Sequence, residues 1–247
     1  NKMYTFYENQ IQEALDRAFP AYVNNLRYRN EILQKDCYIR GVLGEIFIRD
    51  ILKNYGFITT SNENNEDKED NTDRDLLIYG LNTISSQIRF QKAIKIEIKT
   101  SLIPNDKFNY IDNGDVKIYK KTNIEDDIYW DFGIQIYFKQ YKPEWEENVQ
   151  NIYQNNACNN TDNKLLDLYK KLQFEIFWIS KQEAINANFL QEYKTWCYAN
   201  KTFWKCPIRK CNPNFYELII CLLDNIINAQ YQEILMLKNY ILSNNTK

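Results

Sequence analysis

The residues Ile94-Lys95-Ile96-Glu97-Ile98-Lys99-Thr100 alternate between apolar and charged side chains. In an extended strand the isoleucines take one face, while Lys95, Glu97 and Lys99 share the other. Side chains two residues apart on a strand stand about 6–7 Å apart, so Glu97 and Lys99 can act on one phosphate. Upstream, Asp75 sits at the start of the apolar run Leu76-Leu77-Ile78-Tyr79, and pairing of the two strands would bring both carboxylates to one cation. Asp70 and Asp73 lie close enough in sequence to take the place of Asp75.

Carboxylate oxygens, a backbone carbonyl (here Ile98) and waters form the donor set that Mg2+ prefers. A cation held by Asp75 and Glu97 would polarise a phosphodiester and offset the charge developing on its oxygens. Lys99 would orient the attacking water or help to deprotonate it. Glu45, at helical spacing from Gly41 and next to Gly44, is placed to approach the same site and hold a metal-bound water or a second cation.

Composition removes the competing chemistries. The chain has 247 residues and no histidine, which excludes Ser-His-Asp and Cys-His nucleophilic sites and any His-ligated metal. Hydrophobic residues make up 44% and charged residues 26%, an ordinary globular balance. The apolar run Leu218-Ile219-Ile220-Cys221-Leu222-Leu223 is far too short to span a bilayer. No signal or transit peptide opens the sequence, and Asn1-Lys2-Met3 reads as a tag remnant before a start at Met3, so a cytoplasmic protein away from membranes is expected.

Net charge is −2, but the charge is sorted along the chain. Between Lys194 and Asn214 no residue is acidic, while Lys194, Lys201, Lys205, Arg209 and Lys210 interleave with Trp196, Tyr198, Phe203 and Trp204. Cations with aromatics between them suit phosphate contact plus base or sugar packing. The same pattern also describes a loop with core aromatics and solvated lysines. Lys117, Lys120 and Lys121 form a smaller basic cluster, and the stretch from Glu63 to Asp75 is acidic and reads as a solvated loop.

Six cysteines without a secretion signal read as reduced thiols. Cys197, Cys206 and Cys211 lie close enough in sequence to share a structural Zn2+ with Cys158 or Cys221. No CxxC knuckle is present, however, so buried or incidental thiols are the expectation.

The elements that must position these residues follow from periodicity. Helices are predicted from Phe6 to a stop near Pro20 and over Glu31–Asn54, the latter ended by Gly56. Strands are predicted at Phe57–Thr60, Leu76–Tyr79, Ile84–Phe90, Ala93–Thr100, Val116–Tyr119 and, long and apolar, Tyr129–Phe138. Then come a helix at Lys164–Leu172, a strand at Phe174–Ile179, a helix from Gln182, and a closing helix over Phe215–Ile241. One α/β domain with a central mixed sheet flanked by helices is the economical reading.

The segments Gly41-Val42-Leu43-Gly44-Glu45, Asp75-Leu76-Leu77-Ile78 and Glu97-Ile98-Lys99-Thr100-Ser101, in that order, resemble the PD-(D/E)XK nuclease superfamily, and within it the type II restriction endonucleases. Trp130 to Phe138 is similar to the apolar strand that follows the active-site strand there. The resemblance covers about residues 31–140 and leaves 141–247 as a C-terminal elaboration. Arg74, not proline, precedes Asp75. The resemblance implies a restriction-endonuclease-like core, metal binding by Asp75 and Glu97, a catalytic Lys99, a helix carboxylate at Glu45, and Mg2+-dependent cleavage leaving 5′-phosphate and 3′-hydroxyl ends. It further implies double-stranded DNA as partner, and cutting a duplex in one visit suggests a homodimer on a palindromic site.

The same core also serves repair and defence nucleases without sequence specificity, and two other classes compete. In a non-catalytic nucleic-acid-binding protein, Glu97 and Lys99 would be surface charges and the basic aromatic segment the whole function. In a protein-interaction domain, the closing helix would carry the contact.

Overall fold

In the computed structural model, the structure describes residues 2–18, 30–61, 76–83, 86–120, 128–154, 161–188, 191–194, 202–226 and 238–243. Its centre is a mixed six-stranded sheet built from β1 (Tyr4–Thr5), β2 (Phe57–Ser61), β3 (Leu76–Asn82), β4 (Gln87–Ile103), β6 (Phe132–Tyr141) and β7 (Gln173–Ser180). The strand order is β1-β7-β6-β4-β3-β2. Strands β4 and β6 run parallel, and every other neighbouring pair is antiparallel. A second, three-stranded sheet has the order β5 (Asp115–Tyr119), β9 (Thr202–Pro207), β8 (Gln191–Lys194).

Side-chain alternation gives the large sheet two apolar faces. One carries Ile96, Ile98, Leu102, Ile134, Ile136 and Ile176 into the main core, where α1 (Glu8–Ala18), α2 (Glu31–Asn54) and α7 (Phe215–Ile226) cover them. The other carries Ile103, Tyr137, Phe177 and Ile179 into a second core shared with Val116, Ile118, Cys206 and Ile208 of the small sheet and the turn after it. Burying each of these aliphatic side chains contributes about 1.5–3 kcal/mol, so both faces of the central strands are fastened.

The long helix forms where the sequence places it. Asn30 caps its start by accepting a hydrogen bond from the Leu33 N–H at 2.9 Å. Gly56, in the left-handed region with φ 87°, turns the chain into β2. Asp36 is buried within α2 and accepts from Trp145 Nε1 and the Tyr169 hydroxyl, both at 2.8 Å, and from Arg40 Nε and Nη2 at 3.0 and 2.9 Å. This carboxylate ties α2 to α4 (Lys142–Gln154) and α5 (Thr161–Tyr169).

Three expectations change. The strands read separately at Ile84–Phe90, whose residues 84 and 85 lie outside those described, and at Ala93–Thr100 share one strand, β4, of 17 residues. The pairing moves from Ile78↔Ile94 to Gly80↔Arg89, so the extra residues bulge out without ending the strand. At Gly80 a side chain would run into the Ile88 carbonyl, so only glycine admits the neighbouring backbone there. The apolar strand begins at Phe132, with Tyr129 and Trp130 leading into it. A helix, α4, occupies residues that carried no assignment.

The closing helix is seen as α7 and a helical stretch at 238–243, and the residues between lie outside those described. No helix among the described residues is long and apolar enough to cross a membrane.

Candidate active site

Glu97 and Lys99 stand on the face of β4 opposite Ile96 and Ile98, and Lys99 Nζ donates to Glu97 Oε1 at 2.5 Å. Glu97 is 1% exposed, whereas the Lys99 side chain is 35% exposed. A carboxylate taken out of water needs a compensating charge, and the ammonium supplies it while its own outer end meets solvent.

The backbone gives this pair an edge. Lys95 turns both of its backbone groups toward β6, where its N–H donates to the Asp131 carboxylate at 2.7 Å and its carbonyl accepts from the Asp131 N–H at 2.8 Å. Alternate residues turn their backbone groups to opposite sides, so Ile96 and Ile98 present theirs toward β3. The described part of β3 ends at Leu76, paired with Ile96. The Ile98 carbonyl therefore faces the β3 side beyond the last described pair, one residue from the Glu97 carboxylate.

The small sheet comes close beside Glu97. Its register partner on β6 is Gly133. A Cβ at Gly133 would stand 2.9 Å from Ile118 Cδ1 and 3.6 Å from Val116 Cγ1, so β5 occupies the space that a side chain there would take. The small sheet is thereby laid on the Glu97 face of the large one. Further along that face, Gln135, the register partner of Lys99, donates to Ser101 Oγ at 3.1 Å and to the Ile136 carbonyl at 3.0 Å. Beyond it, Tyr110 hydrogen-bonds Glu175 and meets Lys139, and Lys139 and Glu175 pair at 3.4 Å. Burial, with Glu175 alongside, pushes the Tyr110 phenol well above its ordinary range.

The structure brings Glu97 and Lys99 together and carries Ile98 between them. Glu45 stands half-buried on α2. The preceding Gly44 packs against the opposite face of β4, where a Cβ would lie 2.7 Å from Thr100 Cγ2. Asp75, Asp73 and Asp70 lie outside the described residues.

Of the basic residues, Lys201 and Lys121 also lie outside, and Lys194 is seen as backbone at the end of β8, opposite Thr202. Lys205 sits on β9 directly opposite Lys117 on β5. Arg209 and Lys210 are exposed on the 3-10 turn Ile208–Lys210 that follows β9. Lys120 lies over the Trp204 ring, 4.6 Å from its centroid. Two basic clusters far apart in the chain thus share one small sheet.

The donors that the structure describes suit Mg2+, because the Glu97 carboxylate and the Ile98 carbonyl are hard oxygens. Among the described residues no three His, Cys, Asp or Glu side chains gather as a metal-holding group. Cys206 and Cys211 are buried with their sulfurs 4.0 Å apart. Cys158 and Cys197 lie outside the described residues, and Cys221 sits half-buried on α7.

Sequence reasoning missed Gly133, Asp131 and Asp115. A glycine inside an apolar strand run is the usual sign that another backbone comes close, and Gly133 carried that sign. Compared with known proteins, the chain matches no family model, no curated protein and no solved structure.

Proposed function

We propose that the chain is a Mg2+-dependent endonuclease that cuts double-stranded DNA at specific sequences, in the manner of a type II restriction enzyme. The observation that carries this reading is the Glu97–Lys99 pair, a carboxylate 1% exposed held at 2.5 Å by a lysine that reaches solvent, on the strand face where the small basic sheet is laid. Surface charges on a solvated strand would not bury the acid.

Mg2+ bound at Glu97, with the Ile98 carbonyl and Asp75, would supply a Lewis acid for the phosphodiester. Lys99 is placed to hold the attacking water and take part in its proton transfer. Gly133 and β5 keep bulk water from the inner side of Glu97, which strengthens its interaction with any cation. A homodimer would set two such sites on a palindrome.

The products test the reading. Fragments made in Mg2+ should be resealed by a ligase without prior phosphorylation, and none should form in EDTA. DNA left intact in Mg2+, or cleavage that persists in EDTA, overturns it. The second reading, a binding protein without catalysis, is favoured by the Lys117–Lys205 face, which does not involve Glu97. It predicts salt-sensitive DNA affinity with no cut in any divalent metal.

A further inference from the structure

We propose that the outer face of the small sheet grips the phosphate backbone of duplex DNA, with Lys117 and Lys205 acting as one clamp on a single phosphate and Asp115 as the residue that positions both. The choice of duplex DNA rests on the endonuclease reading, while the clamp rests on the geometry.

Lys117 and Lys205 are register partners on adjacent antiparallel strands, so their side chains leave the same face side by side. Both ammonium groups reach the same oxygen, Asp115 Oδ2, at 4.0 and 3.4 Å. Like charges placed directly opposite destabilise a sheet, and the Asp115 carboxylate stands between this pair. That carboxylate is 9% exposed, while the lysine side chains are 48% and 32% exposed. The acid lies inside and the cations lie outside. On the face that carries Lys117 and Lys205, Asp115 is the one acid among the described side chains.

Two cations that meet at one oxygen are close enough to hold the oxygens of one phosphate between them. Lys120 is engaged over Trp204, on the other side of the sheet from Lys117 by strand alternation, and so stands apart from the clamp. Arg209 and Lys210 extend the positive charge along the turn that leaves β9. Because β5 rests on Gly133 beside Glu97, a backbone held on this face stays attached to the element that borders the candidate active site.

The test measures binding in EDTA, where no cutting occurs, using a fluorescently labelled duplex titrated at several salt concentrations. The Lys117→Ala/Lys205→Ala variant should lose about tenfold or more in affinity at low salt. Its slope of log affinity against log salt should fall by about 1, because one phosphate contact is removed. The Lys117→Arg/Lys205→Arg variant should keep the wild-type slope, and Lys53→Ala, on a distant helix end, should change nothing.

The double alanine variant leaves Asp115, 9% exposed, without these two cations, so a cooperative melting transition is confirmed before binding is read, which separates lost binding from lost fold. An unchanged slope in that folded variant overturns the clamp. Equal or tighter binding of the corresponding single strand overturns the duplex assignment. Absence of cutting by the wild type in Mg2+, with the slope change intact, leaves the clamp standing and counts against the endonuclease reading alone.

Discussion

Glu97 on β4 and Gly133 on β6 are register partners, and the space beside Glu97 that a Gly133 side chain would occupy is filled by Ile118 of β5. One missing side chain therefore does two things. It leaves room for β5 beside the carboxylate of the candidate site, and it seats the basic sheet on the same face. The site and the surface that would hold its substrate are joined through this one position.

Gly133→Val tests the seating. The new branched side chain would meet Ile118, already 2.9 Å from an ideal Cβ, and should cost about 1–3 kcal/mol in stability by overpacking. Adding Ile118→Ala to the same chain should restore a good part of the loss, read as the coupling in a double-mutant cycle by chemical denaturation. Strict additivity of the two substitutions would show that β5 does not depend on this glycine.

Lys99→Met removes the ammonium that offsets a carboxylate 1% exposed, and Glu97 has no room to reach bulk water. A loss of about 1–3 kcal/mol in denaturant unfolding is expected, below the full value for a buried pair because Lys99 itself is partly solvated. The Glu97→Gln/Lys99→Met double variant should regain most of it, since neither charge then remains. A single variant as stable as wild type would mean that the pair carries no folding role.

The Asp36 carboxylate accepts from four donors on Arg40, Trp145 and Tyr169. Asp36→Ala leaves a buried guanidinium, an indole N–H and a hydroxyl without that acceptor and should cost about 3–5 kcal/mol, measured as a fall in melting temperature. Cleavage per folded molecule should be unchanged, because this network lies among the helices on the far side of the large sheet.

Acid should loosen the junction of the first two helices. A hydrogen bond from Arg49, helped by Arg17, holds the Glu13 carboxyl below the usual carboxylate range against the opposing effect of burial. A depressed folded value means that Glu13 stabilises the fold above its unfolded value of about 4.3, and this is lost as pH falls through the folded value. Melting temperature should drop as the pH is lowered through the folded value, below the ordinary carboxylate range, and Glu13→Gln should remove part of that drop. Parallel curves for the two proteins would show that Glu13 makes no contribution.

The strict alternation around Glu97 made their shared face legible, because a period of two is a local property. Burial of Glu97 was not legible. Lys-Ile-Glu-Ile-Lys is also the pattern of a half-exposed strand, and the packing of Ile118 against Gly133, the register partner of Glu97, lies outside any local window. The mixed sheet flanked by helices follows from helix and strand periods, yet the pairing of Lys117 with Lys205 is non-local and no spacing announces it. The unassigned helix α4 did carry a signal, with Pro143 in its first turn and Trp145, Val149 and Ile152 at helical spacing. The bulge in β4 hid a continuous strand, because Gln91 and Lys92 interrupt its apolar rhythm.

The central claim rests on Lys99 beside Glu97. Digestion of a long, unmethylated linear duplex in Mg2+, with wild type and Lys99→Ala compared side by side after both are shown to be folded, tests it most directly. Discrete fragments are expected from the wild type and none from the variant. Intact DNA in both lanes, or the same fragments in both, would contradict it.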